Sequence, residues 1–126
     1  MGTRPQILII DDEENMRHML SVMLRKCGYL TELAEDGEAA LKLLSERSYD
    51  FIMCDINMPG IDGFSFLRQA VISGVTSPMI MMAAYATEEV VNKCMKEGAA
   101  DFICKPFKLN ELLNKLTKIA VARRYT

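Results

Sequence analysis

Five short apolar runs, each trailed by apolar residues at helical spacing, constrain this chain more than any other feature of it. Residues 7–10 open the series. Met16, Met19, Leu20, Met23, Leu24 and Cys27 then recur every three or four residues, and Gly28 is placed to close that helix in the left-handed conformation. Residues 29–34 alternate like an outer strand. Asp36 stands where it caps a second helix with Ala39, Ala40, Leu43 and Leu44 on its stripe. Residues 51–54 form the third run, and Phe64, Leu67, Ala70 and Val71 mark a third helix. Pro78 opens a fourth strand over 79–82. Thr87 caps a fourth helix carrying Val90, Val91, Cys94 and Met95, and Gly98 ends it. Residues 102–104 are the fifth run, followed by Leu109, Leu112, Leu113, Leu116, Ile119 and Ala120 on a last helix. Short apolar strands separated by amphipathic helices imply a parallel sheet covered on both faces, with right-handed crossovers. The fold class expected is therefore α/β, with five strands and five flanking helices.

The 126 residues suit one domain with a real core, and no internal linker, repeat or low-complexity stretch divides them. A single domain over residues 1–126 is expected. The ending fits either a complete small protein or the amino-terminal part of a longer one. Fifteen basic against seventeen acidic residues leave a formal charge of −2, so no strong field favours nucleic acid or anionic lipid. No apolar stretch is long enough to span a bilayer, and residues 1–6 do not resemble a signal peptide. A cytoplasmic protein with no direct contact to nucleic acid or membrane is expected. Cys27, Cys54, Cys94 and Cys104 form no C-x-x-C pair and have no histidine cluster beside them, so they read as reduced, mostly buried thiols rather than zinc ligands. His18 sits off the first apolar stripe and reads as exposed; Arg123 and Arg124 fit a helix end.

The chemistry lies just after the apolar runs. Asp11 and Asp12 follow the first, Asp55 ends the third, and Lys105 with Pro106 follows the fifth. In open α/β sheets ligands bind beyond the carboxyl ends of the strands, where the strand order reverses. A carboxylate cluster there suits a hard divalent cation, magnesium above all, and an ammonium beside it suits a phosphoryl group. Asp-Asp after a strand is by itself more often a helix start than a metal site. The matching placement of Asp55 and Lys105 makes the functional reading stronger.

Four segments resemble the receiver domain of two-component response regulators: I-L-I-I-D-D-E, D-F-I-M-C-D-I-N-M-P-G-I-D-G, P-M-I-M-M-A-A-Y-A-T and G-A-A-D-F-I-C-K-P-F. The resemblance runs from Ile7 to about Ala120. It implies a flavodoxin-like, doubly wound sheet in the order 2-1-3-4-5, an order that comes with the resemblance and that the spacing does not dictate. It implies that Asp55 accepts a phosphoryl group from a phosphohistidine of a sensor histidine kinase or phosphotransfer protein. Asp12 and Asp55 would ligate magnesium directly, Asp11 directly or through water, and Asn57 through its backbone carbonyl. Lys105 would contact the phosphoryl oxygens, Pro106 would follow a cis peptide bond, and Tyr85 would tune dephosphorylation. Output contacts, including a homodimer, would lie on the fourth helix, fifth strand and fifth helix, with an output domain beyond residue 126 as a further implied partner. No turnover of an external substrate is implied.

One position departs from the family. Where a Thr or Ser usually ends the fourth strand, this chain has Ala83, while the partner aromatic is present as Phe102. The acceptor chemistry is expected intact; for the relay from site to surface, chance substitution, compensation by a backbone N–H and loss of the switch are all open, and Thr87 is the nearby hydroxyl, set rather far along the chain to replace the missing one directly. Two other functions share the same residues: a small magnesium-dependent phosphohydrolase with Asp55 as nucleophile, which would need a substrate pocket or cap that no insertion supplies, and a receiver-like binding module with impaired switching.

Overall fold

The computed structural model describes residues 4–124, and the alternation resolves there into ten elements. They are β1 (Gln6–Ile10), α1 (Glu14–Lys26), β2 (Leu30–Ala34), α2 (Gly37–Glu46), β3 (Phe51–Asp55), α3 (Gly63–Ile72), β4 (Met79–Ala83), α4 (Glu88–Lys96), β5 (Asp101–Cys104) and α5 (Leu109–Arg124). Residues 1–3 of the amino-terminal segment and the side chain of Arg124 lie outside the described residues. All strand pairs are parallel, in the order β2-β1-β3-β4-β5. Among the described residues no helix is long and apolar enough to cross a membrane.

The continuous apolar strands have a direct cause: neighbouring residues of one strand enter two different cores. Ile7 and Ile9 pack with Leu20 and Leu24 of α1 and Leu112 and Leu116 of α5. Leu8 and Ile10 pack with Ala40 of α2, Phe66, Leu67 and Ala70 of α3, and Cys94 of α4. Each fully buried Leu or Ile contributes roughly 1.5–3 kcal/mol relative to exposure. Because both faces are covered, no polar alternation survives in β1, β3 or β4. The edge strand β2 is the least buried and, against expectation, does not alternate: Leu30 and Leu33 are exposed, Thr31 and Glu32 are half-buried, and only Ala34 is buried.

Three helix starts follow the local chemistry. Asp36 accepts from the Ala39 N–H, Asp62 from that of Ser65 and Thr87 from that of Val90. Gly28 and Gly98 have positive φ, as expected of residues that end helices α1 and α4. Some stripe expectations fail. Met19, Val71 and Met95 are exposed. In α3 the buried set is Gly63, Phe66, Leu67 and Ala70: Leu67 and Ala70 are buried as expected, but docking buries Phe66 and leaves Phe64 half-buried and Val71 exposed. The reading of four mostly buried thiols is also corrected: Cys54 and Cys94 are buried, whereas Cys27 caps α1 in solvent and Cys104 is exposed at the end of β5. His18 is exposed as expected, and Arg123 donates to the Thr76 carbonyl at 3.0 Å.

Candidate functional site

Strand register brings the distant acids together. Ile10 of β1 lies beside Cys54 of β3, so Asp11 and Asp55 leave the sheet side by side. Ala83 pairs with Cys104, and the Lys105 N–H donates to the Ala83 carbonyl at 2.8 Å, which starts the lysine side chain across the end of β4. The order reverses on the two sides of β1, so the β1–β3 boundary is the switch point of the sheet.

Carboxylate oxygens of Asp11, Asp12 and Asp55 lie within 4.8 Å of one another. Lys105 Nζ bridges two of them, 2.8 Å from Asp11 Oδ2 and 3.0 Å from Asp55 Oδ2. Its side chain is only 11% exposed, so it is not a solvated surface lysine. Asp11 is fully buried and fully engaged: its second oxygen, Oδ1, accepts from the Glu13 N–H at 2.9 Å. Asp55 Oδ1 accepts from the Asn57 N–H at 3.1 Å, so Asn57 shapes the turn and faces the site with its backbone. Asp12 is exposed, and among the described residues its carboxylate has no hydrogen-bond or ion-pair partner. Beside it opens a depression of about 410 Å³ lined by Asn57, Met58, Pro59 and Phe64 among others.

Burial raises the Asp55 carboxyl above the ordinary carboxylate value; hydrogen bonding and charge from Lys105 and the Asn57 N–H oppose this, and Asp11 adds to it. For Lys105 burial acts downward, yet Asp11 and Asp55 together outweigh it and the net shift is upward. The ammonium is thus secure and the carboxylate is under electrostatic load, a condition that an added cation relieves.

The remaining expected residues fall around this centre. Ala83 is buried at the end of β4, and Phe102, 7% exposed, is buried in the same core. Tyr85 is 86% exposed. Thr87, four residues beyond Ala83, caps α4: its Oγ1 accepts from the Val90 N–H at 3.2 Å. The Lys105–Pro106 peptide bond is cis. Two residues escaped the sequence reading. Arg17 donates from NH1 to the Asp11 carbonyl at 2.7 Å. Gly63 lets α3 rest directly on the exit of β3: a Cβ there would sit 2.5 Å from Ile56 Cα and 2.7 Å from the Asp55 carbonyl oxygen. The only sequence signal for the glycine was the Asp62-Gly63 pair, which reads equally well as a turn. Arg17 carried no signal, since a basic residue on a helix face is ordinary.

A five-stranded sheet of this order with acids and a lysine at its switch point defines a class, the CheY-like receivers. The chain belongs to it: the sequence model of the response regulator receiver domain matches residues 7–117. It is 39% identical over 107 residues to the regulatory protein AtoC of Escherichia coli (strain K12), a match covering 85% of this chain and 23% of AtoC. It is 34% identical over 119 residues to the transcriptional regulatory protein RprY of Bacteroides fragilis (strain YCH46), covering 94% of this chain and 50% of RprY. The chain thus spans half or less of the length of these curated relatives. The chemotaxis response regulator CheY4 of Vibrio cholerae superposes with a TM-score of 0.87 at 30% identity, covering 93% of this chain and 99% of CheY4.

Proposed function

We propose that this receiver accepts a phosphoryl group on Asp55 from the phosphohistidine of a sensor histidine kinase or phosphotransfer protein, in a magnesium-dependent reaction. The observation that carries the reading is the closure of Asp11, Asp12 and Asp55 within 4.8 Å around Lys105 at the switch point. A carboxylate oxygen of Asp55 attacks phosphorus, the phosphorus–nitrogen bond breaks, and its electron pair leaves with the imidazole. The product is an acyl phosphate on Asp55. Lys105 turns from Asp55 to the new phosphoryl oxygens, keeping its charge paired.

The residues fit a magnesium ion, being hard oxygen donors packed close together. Asp12 and Asp55 would bind it directly, Asn57 through its carbonyl, and Asp11, the more deeply buried acid, directly or through water. When bound, the ion offsets carboxylate repulsion and neutralises charge on the transferring group. Asp55 must be ionised to attack; burial pushes its carboxyl upward, and a bound cation would act in the opposite direction.

The protein would act as residues 1–126 of a signalling module in the cytoplasm, without turnover of an external substrate. Its output surface would be α4, β5 and α5, as a homodimer or against an output domain beyond residue 126. Ala83 supports a second reading for the switch alone: acceptor chemistry proceeds and the conformational relay through Phe102 is weakened. Tyr85 and Pro106 would modulate the lifetime and shape of the site.

Intact mass after incubation with acetyl phosphate and magnesium tests the acceptor. One added phosphoryl group is expected, lost in Asp55→Ala and with chelator present. Equal modification of Asp55→Ala, or full modification without free divalent ion, overturns the assignment.

A further inference from the structure

We propose that Arg17 is a positioning residue for the Asp12 carboxylate, acting through the peptide that joins Asp11 to Asp12. The inference rests on the reading of Asp12 as a magnesium ligand. Arg17 NH1 donates to the Asp11 carbonyl oxygen at 2.7 Å, in a half-buried contact. That carbonyl belongs to the peptide plane that carries the Asp12 nitrogen, so holding it sets where the Asp12 Cα stands and where its side chain starts.

The need for such a clamp follows from how unequally the two acids are held. Asp11 is fixed four times over: its N–H donates to the Ala34 carbonyl at 3.2 Å, its oxygens accept from Glu13 and Lys105, and its own carbonyl accepts from Arg17. Asp12 has no side-chain partner among the described residues, so its aim depends on the backbone. The start of α1 offers little else. Its cap residue, Glu13, makes no side-chain capping bond, unlike the caps of α2, α3 and α4. Arg17, one turn into α1, also donates its own N–H to the Glu13 carbonyl, and so ties the first helical turn to the end of β1. A cation here lies toward the positive end of the helix and near the place of an incoming metal. By charge alone it opposes metal binding; only its hydrogen bond favours it.

That opposition gives the test a sign. Magnesium affinity is measured by calorimetric titration of the wild-type chain, Arg17→Met and Arg17→Lys, with melting recorded in metal-free buffer. Arg17→Met keeps the apolar stem and removes charge and donors. The dissociation constant is expected to rise about tenfold, the lower range for loss of a group that orients a metal ligand. Arg17→Lys, which keeps a donor, should recover at least part of the loss. Phosphate uptake from acetyl phosphate should return toward wild type at saturating magnesium, and metal-free melting of Arg17→Lys should stay close to wild type. Unchanged or tighter binding in Arg17→Met overturns the proposal, and so does an equal loss in both variants. Failure of the wild-type chain to bind magnesium overturns instead the metal reading on which it stands. If Arg17→Met does not fold, Arg17→Lys decides alone through the amide shift of Asp12 and its magnesium affinity: a wild-type shift with weakened affinity is the overturning result.

Discussion

Asp55 is placed against its own stability. Burial acts on it most, and Asp11 adds like charge, while Lys105 and the Asn57 N–H only partly compensate. Its folded value lies above the ordinary carboxylate value, so the ionised group is a cost to the folded state at neutral pH. That cost fades as pH falls through the raised value, because the folded state then takes up its proton before the unfolded chain does. Asp55→Asn should therefore melt at a higher temperature than the wild-type chain at pH 7, measured by thermal melting without metal. The gain should shrink on acidification through the raised value. A destabilised Asp55→Asn at pH 7 would show that pairing with Lys105 outweighs burial. Sequence could name both acids of the Asp11-Asp12 pair, but not that one would be buried and saturated and the other exposed and unpaired. That division depends on which side chain turns toward Lys105.

At the scale of elements, the close approach of α3 to β3 is what holds the acceptor end in place. The Gly63 N–H donates to the Ile56 carbonyl at 2.8 Å, and the atoms that crowd the missing Cβ are backbone, which cannot swing away. Gly63→Ala is expected to cost about 1–3 kcal/mol as an overpacked contact, read as a lower urea midpoint. Phosphate uptake should slow in the same variant, because the Asp55 carbonyl is one of the atoms displaced. An unchanged midpoint would mean that the helix start can move without cost. Three caps were legible in the sequence because Asp and Thr advertise them chemically. The buried face of α3 was legible only at Leu67 and Ala70, because Phe64, Phe66, Val71 and Ile72 leave periodicity two choices that only docking resolves.

For the whole molecule, the open matter is how far an event at Asp55 travels. Phosphorylation adds about −1.5 to −2 charges at the sheet edge. The hydroxyl that the family places at position 83 would answer it with a charge-assisted bond worth roughly 1.5–3 kcal/mol, at least a tenfold change in a two-state population. Here Ala83 has none, and Phe102 is already buried in the same core. Amide shifts with and without beryllofluoride should change strongly near Asp55 and weakly over α4, β5 and α5 in the native chain. Ala83→Thr should enlarge the distant changes around Phe102 and Tyr85 with a smaller effect on phosphate uptake. A full response in the native chain, unaltered by Ala83→Thr, would mean that another group performs the relay. Sedimentation of the same samples reports whether the α4-β5-α5 face gains a dimer contact; a monomer under all conditions argues against a homodimer there.

The one-dimensional pattern determined the layer architecture. Apolar runs too short for helices, separated by amphipathic stripes, have no other economical burial than a parallel sheet covered on both faces. It also determined which residue types could do chemistry, because Asp11, Asp12, Asp55 and Lys105 sit where apolar runs end. Their meeting across 94 residues of chain was decided by register: Ile10 against Cys54, and Ala83 against Cys104. So were the exposure of Cys27 and Cys104, the docking of Gly63 and the reach of Arg17 to the Asp11 carbonyl. These depend on distances between elements, and a periodicity along one chain contains no such distance.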